Sequence, residues 1–439
     1  MRPGAAVPRA AATVIVVRDD PAGLQVLLLQ RAEKGDHNSG AWVFPGGLVD
    51  DADRQAAGVC TGLNDAQASA RLLLPEGGLS FHMAAVRECF EEAGVLLACD
   101  AHGQQVSLQG PQGERLLAQR ASLHRGETSL VDLCREHGLT LPLDSLHYVG
   151  HWLTPRGRAK RFDTRFFLAA LPPAQDTAHD AVETTDHVWL TPAEALSPAH
   201  RRRLMTPTRA MLQMLSDFAD VPSLMAWACQ PRAITCVLPR LAAGPAGVEP
   251  VLPDHPAYEE IGRLDPDGQG LASSVLTLGV AVPLCPRVQR LVAFDGLRNS
   301  YLVRTTADAK VFEVVIDPAV PDAGHLDELL RAACGAPHWV LTTHDGQANV
   351  EAARQLMART GARGVGPGLD EPVDAVGAAG LRWVGGPGAD RMQGWLLPEE
   401  DLLFCGPHLQ SALEAAPPVG WAAPASGFLR ALRREETDR

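Results

Sequence analysis

The sequence contains no Cys-x-x-Cys pair, no run approaching the roughly 18 consecutive apolar residues of a membrane span, and no long tract of one charge sign. The first absence argues against a zinc ribbon or a redox dithiol, and the nine scattered cysteines, an odd number, fit reduced thiols better than a disulfide framework. The third leaves the formal net charge of −13 unopposed, which disfavours nonspecific binding to nucleic acid or an anionic membrane. Met1 to Ala12 place Arg2 and Arg9 among alanines without the apolar core of a secretory leader, and the final Glu-Thr-Asp-Arg is not a peroxisomal address. The expectation is a cytoplasmic protein. What is present is hydrophobic content, 46% over 439 residues, enough for two domains. An acidic chain that handles an anionic substrate needs a metal or a local basic cluster.

The most informative stretch is Ala85-Val86-Arg87-Glu88-Cys89-Phe90-Glu91-Glu92-Ala93-Gly94-Val95. At about 100° per residue a helix puts Glu88, Glu91 and Glu92 on one side, at i, i+3 and i+4. Three like charges this close call for compensation, from Arg87 and its neighbours or from a hard cation such as Mg²⁺. Gly94 suits the left-handed residue that ends a helix. Taken alone, an acidic pair is more often a solvated helix face. This one has company: Phe44-Pro45-Gly46-Gly47 lies upstream, and an insertion of about residues 54–80 separates the two, carrying Leu74-Pro75-Glu76-Gly77-Gly78. Together the segments resemble the box of the Nudix hydrolases: Gly, five residues, Glu, seven residues, then Arg-Glu-(aliphatic)-x-Glu-Glu-x-Gly-(aliphatic), with Cys89 in the aliphatic place. The first carboxylate of the box falls either on Asp53, by count from Gly47, or on Glu76, within the insertion.

Two β-branched runs, 12–18 and 24–30, joined by Asp19-Asp20-Pro21-Ala22-Gly23, read as paired strands. Leu27-Leu28-Leu29-Gln30-Arg31-Ala32, then Asp36, Gly40 and Phe44-Pro45-Gly46-Gly47, resemble the signature of Nudix hydrolases that act on coenzyme A, with Leu29 and Asp36 replacing its Thr and second Arg. Residues 65–74 and 114–137 have helical apolar spacing and are expected to form an inserted cap. Strand-like runs at 148–155 and 161–168 flank a basic loop, Arg156, Arg158 and Lys160, and this Trp-Leu-Thr-Pro to Arg-Phe-Asp-Thr pattern again resembles the coenzyme A group. The likeness covers about residues 11–218. It implies an α/β/α sandwich with a mixed sheet.

Residues 219–288 hold Pro231, Pro239, Pro250, Pro253, Pro256 and Pro266 and read as a connecting region. From 289 to 439, strands and helices alternate in an order that resembles the metallo-β-lactamase fold, an αββα layering. Its metal motif is nearly erased: His344 stands alone, with Gly346, Ala348 and Asn349 in the places of the other ligands, and Pro407 follows Gly406 where a bridging Asp belongs. One imidazole cannot hold two metals.

The resemblance implies a hydrolase that cleaves a diphosphate bond in a nucleoside diphosphate linked to another group, coenzyme A or acyl-CoA being favoured, with Mg²⁺ or Mn²⁺. Glu91 and Glu92 would be metal ligands, Glu88 a ligand or the general base, and Arg87 the ion-pair partner that orients a glutamate. Gly46 and Gly47 would let the backbone pass close to the helix. Arg31, Arg158 and Arg161 would contact substrate, since a planar guanidinium fork suits phosphate oxygens. The alternatives are a diphosphatase of ADP-ribose or NADH, and a non-catalytic binding or assembly protein. A homodimer is compatible with either.

Overall fold

The computed structural model describes residues 6–32, 39–55, 58–180, 183–307, 309–371, 373, 376, 379–384, 394–407 and 419–432. Asp36 lies outside them. The chain divides into two compact units, Met1–Leu238 and Pro239–Arg439.

The first unit is built on a mixed sheet. Its strands are β1 (Arg9–Asp20), β2 (Gly23–Arg31), β3 (Trp42–Val43), β4 (Gly46–Leu48), β7 (His147–Leu153), β8 (Phe162–Ala170), β9 (Thr184–Leu190) and β10 (Cys236–Val237). A short pair, β5 (Cys60–Thr61) with β6 (Leu141–Pro142), stands apart. The spatial order is β10-β7-β8-β1-β2-β3, with β4 added to β1 and β9 to β2. β1 runs parallel to β8 and antiparallel to β2 and β4. Alternation along β1 decides the layers. Val14 and Val16 belong to the same core as Val86, Cys89, Phe90 and Ala93 of α2 (Gly78–Ala93), so one face of the sheet is covered by that helix. Ile15 and Val17 point the other way and are equally buried, and α7 (Val221–Ala228) lies against β1 and β7.

Around α2 stand α1 (Asp65–Leu72), α3 (Gly110–His124) and α4 (Leu130–His137). The expected helical stretch 114–137 is thus two helices, broken at Arg125–Ser129, where Ser129 caps α4 by accepting from the Asp132 amide. Leu116, Leu123, Leu130 and Leu133 join the core under α2. Helices α5 (Pro192–Leu196) and α6 (Thr206–Leu215) follow β9.

The expected connecting region, 219–288, is split between the two units. Leu224 of α7 is fully buried in the first. In the second, β11 (Arg240–Gly244) and β12 (Gly247–Val251) form a hairpin followed by α8 (Tyr258–Leu264). Glu260 of α8 makes a buried two-point ion pair with Arg290, at 2.6 and 3.0 Å. A segment that supplies half of a buried ion pair is part of a fold. Its prolines mark edges and turns: Pro250 sits in a two-stranded ribbon, and Pro283 adjoins a bulge in the edge strand β13 (Ala281–Cys285).

The second unit contains a sheet of β13, β14 (Val288–Val292), β15 (Asn299–Ala307), β16 (Lys310–Ile316), β17 (Trp339–Leu341) and β18 (Arg363–Val365). A further sheet holds β19 (Arg382–Val384), β20 (Gly394–Leu397), β21 (Leu402–Cys405), β22 (Trp421–Pro424) and β23 (Arg430–Ala431). Tyr301, Val303, Val314 and Ile316 of the former share a core with Trp395, Leu397, Leu402 and Phe404 of the latter. On its other face the former packs Leu302, Val315 and Val340 against α9 (Ala323–Ala332) and α10 (Gln347–Thr360). Among the described residues, no helix is long and apolar enough to cross a membrane.

Candidate functional site

Helix α2 carries the site, and Gly94 ends it in the left-handed conformation, its N–H donating to Phe90 O. The acidic side is not a solvated face. Glu91 and Glu92 are only 6% and 5% exposed, and Asp53, from the short turn of helix at Ala52–Gln55, is 2% exposed. Arg87 is the hub. Its Nε and Nη2 donate to the two oxygens of Asp53 at 3.0 and 2.9 Å, Nη2 also donates to Leu48 O at 2.8 Å, and Nη1 reaches Glu88 at 2.8 Å and Glu91 at 3.1 Å. The fork-to-fork pair with Asp53 holds the guanidinium plane so that its remaining edge meets two helix carboxylates. Of the two sequence candidates, the structure brings Asp53 to this hub; Glu76 is exposed in the turn before α2.

Burial opposes the charge on Arg87, but Asp53, Glu88 and Glu91 outweigh it and hold the guanidinium firmly protonated. For the carboxylates the balance is reversed. Burial pushes Glu88 up to about 7 against the pull of Arg87, and does the same to Glu91. Burial, then Glu88, raises Glu92 well above the usual range, although the Gly46 amide donates to its Oε2 at 2.9 Å. Three buried or half-buried carboxylates thus share one guanidinium, with Glu92 beside Glu88, a deficit of positive charge that a cation would fill.

Gly46 and Gly47 shape the other wall. They pair with Thr13 and Ala12 of β1, and a Cβ on Gly47 would collide with the Glu88 carboxylate, while one on Gly46 would collide with the β1 backbone. The close approach is what lets the Gly46 N–H reach Glu92. Arg31, at the end of β2, lies close enough to stabilise the charged form of Glu92.

The basic loop is divided by the structure. Arg156 and Lys160 are exposed and Arg158 half-buried on the turn between β7 and β8. The adjoining end of β8 pairs with β1 at Arg9–Ala11, and β1 pairs in turn with β4 through Ala11–Thr13, so the turn lies toward the same end of β1 as the glycines, two strands away. Arg161 corrects the expectation of a substrate contact. It is buried, its Nε donating to Thr154 O and its Nη1 to Ala6 O, which makes it a strut under the turn. Asp163 and Arg165 of the same motif form an ion pair with each other, and His151 joins Asp163 at 2.7 Å.

Some neighbours carry no motif. Arg120 of α3 donates from Nε to Glu91 O at 2.9 Å, and its Nη2 is buried without a partner. His124 lies 3.9 Å from Glu91 Oε2. Glu183 adds to the negative field on Glu92. Only the folded arrangement brings these to α2.

A family model described as the NUDT19 Nudix domain matches residues 61–212. The acyl-coenzyme A diphosphatase NUDT19 of Homo sapiens is 30% identical over 314 residues, 59% of this chain and 83% of the relative. That of Xenopus laevis is 27% identical over 308 residues, 62% and 81%. Among solved structures, a NUDIX hydrolase from Alicyclobacillus acidocaldarius is 25% identical, covers 50% of this chain and 96% of its own, and superposes with a TM-score of 0.43.

Proposed function

The chain belongs to the Nudix hydrolases of the NUDT19 family, and from that premise we propose that it hydrolyses the diphosphate bond of coenzyme A or an acyl-CoA with a divalent ion, Mg²⁺ or Mn²⁺. The observation that carries the reading is the surplus of carboxylate around Arg87. All the converging side-chain donors on α2 are oxygens, the preference of a hard cation over a soft one. Glu88, Glu91 and Glu92 would hold the ion. Bound there, it would supply neutralisation of the phosphate oxygens and acidification of the attacking water.

The residues of the chain do the rest. Arg87, itself fixed by Asp53, orients Glu88 and Glu91. The Gly46 amide fixes Glu92. Glu88, the least buried of the helix carboxylates and raised to about 7, is suited either to ligation or to taking a proton from water. Arg31, Arg158 and the exposed members of the basic turn offer charge to the phosphates of an anionic substrate, with the extra phosphate of coenzyme A as the group that distinguishes it.

The second unit is read as a scaffold of metallo-β-lactamase ancestry serving packing, dimerisation or ligand sensing. Its layering of helices on one sheet and that sheet on another supports the likeness of fold.

A panel of coenzyme A, an acyl-CoA, ADP-ribose and NADH, assayed with Mg²⁺ and with Mn²⁺, tests the substrate. A kcat/KM for the coenzyme A compounds at least tenfold above the others is expected. A preference for ADP-ribose or NADH would overturn it.

A further inference from the structure

A second group of ligand-type side chains lies outside the carboxylate hub. His179 precedes β9, and Asp186 and His187 lie on it, His187 opposite Leu29 of β2. Ligand atoms of the three residues lie within 4.8 Å of one another. The two imidazoles face each other through Nδ1, 3.1 Å apart, with their rings inclined by 46°. Two nitrogens bound to one tetrahedral zinc at 2.0–2.1 Å stand about 3.3 Å apart, so this spacing is that of neighbouring ligands within the usual tolerance of about 0.2 Å. We propose that His179, His187 and Asp186 form a second metal site, selective for a transition ion of the zinc, cobalt or nickel class.

The chemistry differs from that of α2. Imidazole nitrogen favours those ions and serves Mg²⁺ poorly, so the two sites sort metals by donor type. The surrounding charge is mixed. Arg120 acts on His187 as a repelling cation, and Asp186 acts on it with the opposite sign. Asp186 Oδ1 accepts the His187 amide at 2.8 Å, which holds the carboxylate beside the ring. The backbone around the site is already anchored: Ala178 donates its N–H to Ala93 O at the end of α2, and Trp189 Nε1 donates to Thr177 Oγ1. An ion bound here would tie this segment to β9 at little ordering cost.

Without metal, the 3.1 Å contact is a hydrogen bond in which one Nδ1 donates and the other accepts. Binding measurements separate the two states. The full chain, stripped with chelator and held in excess Mg²⁺, is titrated with Zn²⁺ by calorimetry and with Co²⁺ by visible absorption. One Zn²⁺ per chain is expected, with intense Co²⁺ bands of low coordination number. Affinity should fall by about tenfold or more in His179→Ala and in His187→Ala, and should persist in the Glu91→Gln/Glu92→Gln double variant. His179 lies in a loop, so its variant tests the site even if the strand variant fails to fold. No uptake of Zn²⁺ by the wild-type chain, or uptake that both His variants retain, would overturn the proposal.

Discussion

Two buried acidic clusters, one in each unit, solve the same electrostatic problem differently. In the second unit Asp317 is 2% exposed at the end of β16, and its carboxylate is saturated by neutral donors: the Thr343 amide at 2.8 Å, Thr343 Oγ1 at 2.5 Å and Asn349 Nδ2 at 2.7 Å. Burial raises its pKa, against the opposing pull of His344 3.8 Å away and of these donors. In the first unit Asp53, Glu88 and Glu91 share Arg87, Glu92 takes the Gly46 amide, and burial likewise raises all three glutamates. One cluster is complete as a hydrogen-bond network. The other is where, on the proposed function, a further cation would sit. Asn349, in the place where the resemblance puts a histidine ligand, donates to Asp317 and accepts the Ala319 amide.

The largest expected contrast is in turnover. Glu91→Gln or Glu92→Gln should lower kcat at saturating Mg²⁺ by at least a hundredfold, about 2.7 kcal/mol, in a steady-state assay of diphosphate hydrolysis. Retention of more than a tenth of the activity by both would break the assignment. Because these carboxylates are buried and repel one another, Glu92→Gln should also leave the metal-free melting temperature unchanged or higher while removing its rise on adding Mg²⁺.

Loss of the hub is read in stability. Arg87→Ala strips Asp53, Glu88 and Glu91 of their partner and should cost about 3–5 kcal/mol in a urea titration. Glu76→Ala, at an exposed position, should stay within about 0.5 kcal/mol, with activity intact. A reversal of that order would return the first box carboxylate to Glu76.

Asp317→Ala leaves the Thr343 amide and Asn349 without an acceptor and should destabilise by about 2–4 kcal/mol, by the same amount with and without Mg²⁺. A metal-dependent difference would erase the contrast between the clusters.

The smallest effect is a pH slope. His82, fully buried in α2 with Nδ1 3.0 Å from Gly78 O, is driven down by burial to about 4. The unfolded chain, with an ordinary histidine pKa near 6.5, binds the proton more readily between pH 4 and 6.5. Stability should therefore fall on acidification through that window, by up to about 1.4 kcal/mol per pH unit, and His82→Gln should flatten this contribution in melts recorded across it.

What was legible in the sequence was local. The 3.6-residue period placed Glu88, Glu91 and Glu92 together, and Gly94 marked the end of their helix. Alternating β-branched residues placed β1 and β2. Asp53 could not be chosen over Glu76 by counting, because the choice is made by the reach of Arg87 across 34 residues. Arg161 reads as a substrate contact because it adjoins Arg158 and Lys160 in sequence, yet its place just before β8 turns it inward. Arg120, Glu183 and His124 carry no periodic signal toward α2, and only tertiary packing brings them there. Prolines from 231 to 266 suggested a connector because proline marks turns and strand edges as readily as linkers.

The central proposal, that the α2 cluster binds a divalent cation and the Asp317 cluster does not, is tested most directly by titrating Mn²⁺ into the chelator-treated chain and following the free ion by electron paramagnetic resonance. Uptake should be lost in Glu91→Gln/Glu92→Gln and unchanged in Asp317→Asn. Undiminished uptake by the double glutamine variant, or its loss in Asp317→Asn, would contradict the account.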